Sequence, residues 1–279
     1  LLQRLVTLVL SLLPRSLRWR ALAWPYRGAG QRLARTLEAP REQQLRALRQ
    51  IVQANRGTEF GRAHAFDQVR DPATFAARVP LRGYAEIAAY VQRHLRGESD
   101  VLVAGPLLGF ALSGGGHTGQ RRPLPVTAAS LGCYRRAEHL LWRCALHIRP
   151  EAARGCCLHV LPTHGGRSGR AGLPRSPMPA LFEQLRPPGP PPAPLLPGAL
   201  FNVRDEAARF YLTLRLSMGA PVTVLRAASP GTLTILAEHL ELHGARLVEH
   251  LADGEVEHLD ELDEELRDAL APLARADPP

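Results

Sequence analysis

Residues 110–127 read FALSGGGHTGQRRPLPVT, an apolar run joined to a second extended run through a turn built from glycine. Without a Cβ, glycine lets consecutive backbone N–H groups point into one concavity, and nearby hydroxyls plus a following cation complete a cradle for anions. The segment carries hydroxyls and, after its last glycine, the cations Arg121 and Arg122. Gly114, Gly116 and Gly119 satisfy the pattern GxGxxG, but a dinucleotide-binding turn has to open a helix, and Pro123 and Pro125 forbid one. Gly114 and Gly119 also have P-loop spacing, yet Gln120–Arg121 stands where Lys–Ser/Thr is required. What survives is a glycine turn between two strands.

The flanks alternate helical and extended patterns. Upstream, residues 39–55 place Leu45, Leu48, Ile51 and Val52 on one helical face, with Pro40 in the first turn and Gly57 just past the end. Asp71–Pro80 reads as a short capped helix and Arg82–Gly97 as a second, closed by its glycine. Asp100–Leu112 is apolar and broken at Gly105–Pro106, which predicts a buried strand or pair of strands. Downstream, a helix is predicted from Ala128 to Leu146, a buried strand at Gly155–Leu161, a loop at residues 163–179, and an extended proline-rich connector at 187–198. A helix at Arg204–Met218, a strand at Ala220–Leu225 and a helix at Ser229–His243, punctuated by Gly244, complete the pattern of a layered α/β fold.

The chain has 279 residues and is 45% hydrophobic, enough for a sizeable core. All its basic residues are arginine, and the formal charge is +9. That charge is polarised, because Glu238–Asp268 holds twelve carboxylates against two arginines. Aromatic content is 5% and no aromatics interleave with the arginines, so specific nucleic-acid binding is not expected. Cys133, Cys144, Cys156 and Cys157 lack paired CxxC spacing, so no metal site is predicted, and reduced thiols are consistent with a cytoplasmic location. The apolar residues 1–13 are too short to span a bilayer and fit a packed or surface-lying amphipathic helix, so residues 1–20 offer a peripheral membrane contact.

The segments TEFGRAHAF (58–66), VPLRGYAEIAAYVQRHLRGESDVLV (79–103), FALSGGGHTGQRRPLPVT and VTVLRAASPGTLTILAEHLELHGARLVEHLADG (222–254) occur in the order found in the auxin-responsive-promoter family of acyl-acid amido synthetases. The chain resembles that family from about Leu33 to Gly254 in register. The resemblance implies an incomplete form of the large N-terminal α/β domain of adenylate-forming enzymes, at 33–254, between an amphipathic, basic segment at 1–32 and an acidic helical tail at 255–279. It also implies ATP and Mg²⁺ as cofactors, with a carboxylic acid and an amine or amino acid as substrates joined through an acyl-adenylate. On the family's loop pattern, Ser113, Gly115, Gly119 and Arg122 fall on its Ser, Gly, Gly and Lys positions, with Thr118 as a displaced hydroxyl. Gly114, Gly116 and His117 stand where the family carries hydroxyl residues, which weakens the cradle. The family's downstream adenine and ribose elements are not found in this sequence, so the chain reads as a fragment or a shortened relative. No catalytic residue is assigned, and a non-catalytic binding relative is the alternative. Tyr84, Tyr90 and Glu98 read as structural; His117, His159 and His164 read as loop or core histidines.

Overall fold

A computed structural model describes residues 26–113, 121–161, 172–185 and 194–274. They form two units, one from residues 28–140 with 172–185, the other from 26–27, 141–161 and 194–274. Both mix helices with a small sheet, the α/β class expected.

In the first unit, α1 (Arg27–Glu38), α2 (Pro40–Asn55), α3 (Glu59–Ala63), a 3₁₀ turn (Phe66–Gln68), α4 (Pro72–Arg78) and α5 (Tyr84–Leu95) precede the sheet. Pro40 and Pro72 each start a helix, where their missing N–H costs nothing. Thr58 caps α3 by accepting the Gly61 N–H. Asp71 caps α4 in a reciprocal box with Thr74. Val52, Phe60, Phe66 and Val69 form the core of this helical part, with Leu48 and Tyr90 against it. Ile51, expected on the buried face of α2, is 60% exposed. Positions 45, 48 and 52 share a stripe, and Ile51 lies one residue, about 100°, off it.

The Asp71 bonds to Thr74 hold its carboxyl below the usual carboxylate range. A depressed folded-state pKa stabilises above the unfolded pKa and is lost as pH falls through the folded one. Asp71→Ala is therefore expected to lower the melting temperature near neutrality, with the gap to wild type closing below the ordinary carboxylate range. A gap that stays constant down to strong acid would exclude this cap as a titrating contribution.

The strand predicted across Asp100–Leu112 is confined to β1 (Leu107–Leu112). The segment before it is held by side chains instead: the Leu102 N–H donates to His94 Nε2 at 3.0 Å, and the Ala104 N–H to Asn55 Oδ1 at 2.9 Å. With those donors satisfied, and Asp100 and Gly105 at positive φ, the segment has no need of a ladder. β1 pairs antiparallel with β2 (Pro123–Thr127) and parallel with β4 (Arg175–Pro177). The last four residues of β1 are buried, as befits a central strand covered on both faces. The first part of α6 (Ala128–Ile148) and α7 (Met178–Gln184) cover the sheet through Leu131, Leu181 and a stacked Tyr134–Phe182 pair. β4 and α7 lie where residues 163–179 read as a loop. Pro174, Pro177 and Pro179 disguise them, although proline is admissible on a short edge strand and in a helix's first turn.

The second unit pairs β3 (Cys156–Val160) in parallel with β5 (Val222–Ala227). α8 (Glu206–Met218) and α9 (Pro230–Asp253) pack with this pair around Leu158, Leu212, Leu236 and Leu247. α9 does not stop at Gly244 but ends at Gly254, which takes the left-handed conformation at φ 77. Leu236 and Leu247, three turns apart and both buried, offset the roughly 1 kcal/mol that a mid-helix glycine costs. In the connector, Pro194 bridges Cys157, the Leu195 N–H donates to Cys157 O at 2.9 Å, and Leu196 is buried. Leu262, with Leu266 and Leu270 of α10 (Glu264–Leu270), joins the core, while Asp263 caps that helix. Cys157 and His159 are buried in β3, Cys156 is half-buried, and Cys133 and Cys144 are exposed. Among the described residues no helix is long and apolar enough to cross a membrane.

Candidate functional site

The β1–β2 hairpin places Ser113 and Arg122 opposite each other at the mouth of the glycine turn. The Ser113 N–H donates to Arg122 O at 3.0 Å, and Ser113 Oγ accepts the Arg122 N–H at 3.0 Å. The serine thus closes the ladder with backbone and side chain together, continuing the pairing of Leu112 with Pro123 by one step. Residues 114–120, including Gly115, Thr118 and Gly119 of the predicted cradle and His117, lie outside the described residues, as does His164. The structure therefore brings together Ser113 and Arg122 of the five residues singled out.

Tyr84 belongs to the mouth, and Arg175 lies close enough to act on it electrostatically. Tyr84, at the start of α5, donates its hydroxyl to Pro123 O at 3.0 Å, and the Arg122 guanidinium carbon lies 5.3 Å from its ring centroid. Burial raises the Tyr84 pKa, while the positive charges of Arg175 and Arg122 act in the opposite direction without reversing it. The phenol therefore stays protonated, as the hydrogen bond to Pro123 requires. Arg175 reaches the neighbourhood by register: on β4 it pairs with Phe110, which pairs in turn with Pro125 of β2. Arg121 and Arg122 are exposed and Arg175 half-buried. Arg121 and Arg122 at the hairpin end carry the kind of charge that suits phosphate or carboxylate oxygens.

The sequence flagged Tyr84 as a packing residue and missed Arg175, which sits between prolines in a stretch without periodicity. Gly109 explains how β4 comes so close. A Cβ there would meet Pro174 O at 2.8 Å and Leu181 Cδ1 at 3.0 Å. Glu98 and Glu59 hold Arg93 at 2.7 Å each, pinning α5 to α3 and the segment after it. Among the described residues no cluster of histidine, cysteine or carboxylate side chains is arranged to hold a metal ion.

The described residues define the class, a mixed α/β scaffold of helices over small sheets with arginines at the end of its β1–β2 hairpin. Residues 29–279 match the GH3 family N-terminal domain, and the chain belongs to that family. It is 40% identical over 82 residues to the jasmonoyl–L-amino acid synthetase GH3.3 of Oryza sativa subsp. japonica, a match covering 29% of this chain and 18% of that protein. It is 27% identical over 140 residues to the indole-3-acetic acid-amido synthetase GH3.2 of Arabidopsis thaliana, covering 50% of this chain and 26% of the relative. In fold it is similar to the AtGH3.15 acyl acid amido synthetase in complex with 2,4-DB, with a TM-score of 0.74 at 21% identity over 89% of this chain. The chain spans 44% of that solved protein and less than a third of the curated relatives it matches.

Proposed function

We propose that this chain is the nucleotide-gripping part of an ATP-dependent acyl-acid amido synthetase-like protein, and that residues 113–122 hold the β- and γ-phosphates. The observation that carries the reading is the Ser113–Arg122 closure, which fixes both ends of a seven-residue glycine turn and leaves an arginine at its rim. ATP supplies a leaving group for the carboxylate; the protein's share is to bind and orient it. Turn amides would donate to phosphate oxygens, and Arg122, with Arg175 nearby, would offset the charge that builds on the leaving pyrophosphate. The exposed Arg121 and Arg122 at the described end of the turn suit a polyphosphate. Mg²⁺ would arrive on the phosphates, its usual mode where no protein cage is provided. An acyl-adenylate would then be attacked by an amine or amino acid, giving the amide and AMP. The cytoplasm suits such chemistry, and no specific nucleic-acid partner is proposed. The 1–32, 33–254 and 255–279 division stands as a proposal beside this reading.

Gly114, Gly116 and His117, standing where hydroxyl donors are expected, favour a second reading, a relative that binds nucleotide weakly and does not turn it over. Isothermal titration with ATP–Mg and acid-dependent ATP–pyrophosphate exchange separate the two. Binding with exchange supports the synthetase reading; weak binding without exchange supports the second. In either, Arg122→Ala is expected to weaken ATP–Mg by about tenfold, the value of one charge-assisted phosphate contact. Unchanged affinity in that variant would remove the turn as the nucleotide site.

A further inference from the structure

α1, α2 and α6 line a cleft of about 490 Å³ in the first unit. Four arginines reach it, Arg32 and Arg35 from α1, Arg46 from α2 and Arg136 from α6, and no carboxylate is among the described residues that line it. The buried Ala29 lines it with a side chain too small to fill it, and the half-buried Gln43 adds a neutral amide. Positive charges gathered without a counter-charge repel one another, and Arg32 and Arg35, three residues apart on one helix, share a face. That repulsion weakens the free protein and is offset when an anion enters.

A second cavity in the same unit, about 620 Å³ and lined by α2 and the 3₁₀ turn, shows arginines used structurally. There Arg49 Nε donates to Arg70 O at 3.0 Å, Arg70 Nη1 donates to Val69 O at 3.2 Å, and Glu42 supplies a negative charge. In the arginine cleft, no hydrogen bond or ion pair among the described residues engages the guanidinium of Arg32, Arg35 or Arg46. Arg46 borders both cavities, whereas Glu42, one turn before it, borders the second. Arg136 donates from Nη2 to Cys133 Sγ at 2.9 Å, which restrains one edge of its guanidinium.

We propose that this cleft is an anion site separate from the 113–122 turn, and that it takes a compact ligand bearing two or more phosphate groups, as a soluble phosphorylated ring or as the headgroup of a lipid. A phosphate monoester carries about two negative charges near neutrality, so a pair of them matches the four guanidiniums. The guanidinium fork holds phosphate oxygens bidentately, and a cleft of one sign concentrates its field on the occupant. The cleft's volume lies within the range of small-molecule sites. The proposal stands apart from the nucleotide reading, because none of these arginines belongs to the turn.

The test is isothermal titration of the full 279-residue chain with inositol hexakisphosphate. Arg32→Ala, Arg46→Ala and Arg136→Ala are each expected to weaken binding by about tenfold, the value of one charge-assisted contact. Arg96→Ala removes an exposed arginine at the end of α5, outside the cleft, and is expected to bind within about twofold of wild type. Without ligand, Arg46→Ala should melt no lower than wild type, since alanine favours helix and the variant relieves repulsion. Sedimentation with phosphatidylcholine vesicles, with and without phosphatidylinositol bisphosphate, separates the two sources. Recruitment that is lost in Arg32→Ala/Arg46→Ala assigns a lipid headgroup; inositol hexakisphosphate binding without such recruitment assigns a soluble ligand. No binding of inositol hexakisphosphate by the wild-type chain, or a loss in Arg96→Ala equal to that in the cleft variants, overturns the proposal. A lower melting temperature with unchanged affinity in Arg46→Ala also overturns it, by making that arginine structural. Arg122→Ala is expected to leave inositol hexakisphosphate affinity unchanged while weakening ATP–Mg. Should it weaken inositol hexakisphosphate while the cleft variants do not, the anion sits at the turn, and this inference falls while the nucleotide reading stands.

Discussion

Arg215→Ala is expected to lower the unfolding free energy by about 4 kcal/mol, the upper range for losing a large buried side chain and its hydrogen bonds together. Arg215 lies in α8 and is fully buried. Its Nε donates to Glu255 O at 2.8 Å and its Nη2 to His250 O at 2.9 Å. The His250 carbonyl is among the last four of α9, whose acceptors have no intrahelical partner, so the guanidinium closes the end of that helix and sits at the negative end of its dipole. Burial lowers the Arg215 pKa, the signature of a charge held away from water. Its Nη1 makes no hydrogen bond with the described residues, so the group is costly to bury and still more costly to delete once its acceptors depend on it. Alanine would strand both carbonyls and leave a cavity. Lysine reaches fewer of the acceptors and should fall between. Urea unfolding at unchanged m-value is the measurement; a loss below about 1 kcal/mol would mean that the α9 terminus finds other partners.

Gly155→Ala is expected to cost about 3 kcal/mol, at the severe end for overpacking. Gly155 has φ −122 and ψ −151, a backbone shape open to any residue, so the glycine is not there for conformational freedom. It is there for space. A Cβ at this position would overlap Pro221 O and lie 2.6 Å from Thr223 Cγ2. Pro221 O is also the acceptor for the Cys156 N–H at 3.0 Å, the first bond between the β3 and β5 strands. Alanine must therefore push β5 away where the ladder begins, and Thr223, whose hydroxyl donates to Ala152 O at 2.8 Å, would move with it. Trp142 packs in the same cluster as Ala152 and Cys157, so near-ultraviolet circular dichroism should change with the loss of stability. An alanine variant as stable as wild type would show that the start of this strand pair is not as close as described.

Much of the helical scaffold was legible because its signals are local. Pro40 and Pro72 mark helix starts, Asp71 with Thr74 forms a cap within four residues, and the apolar spacing of 204–218 matches α8. Each is a contact between near neighbours, so the sequence window contains the whole interaction. The glycine turn was legible for a different reason, since prolines after Gly119 exclude a helix and leave only a strand–turn–strand reading. Arg175 was not legible. It comes within electrostatic reach of Tyr84 because β4 pairs with β1 across more than sixty residues of chain, a register that no local pattern announces. Ile51 was misread because its i+3 spacing from Leu48 looks like a shared face, whereas it lies about 100° off the stripe of positions 45, 48 and 52 and stays exposed.

The sequence by itself determined the alternation of helices with short buried strands, the polarised charge, the glycine turn and the chemical kind of its flanking groups, because these follow from backbone restrictions and side-chain identity. Only the tertiary structure decided that Ser113 and Arg122 close the turn, that Tyr84 lies under the guanidinium, and that a buried arginine holds the end of α9. Those contacts join residues distant in sequence, and their energies come from burial and directed hydrogen bonds that exist only once the elements have packed.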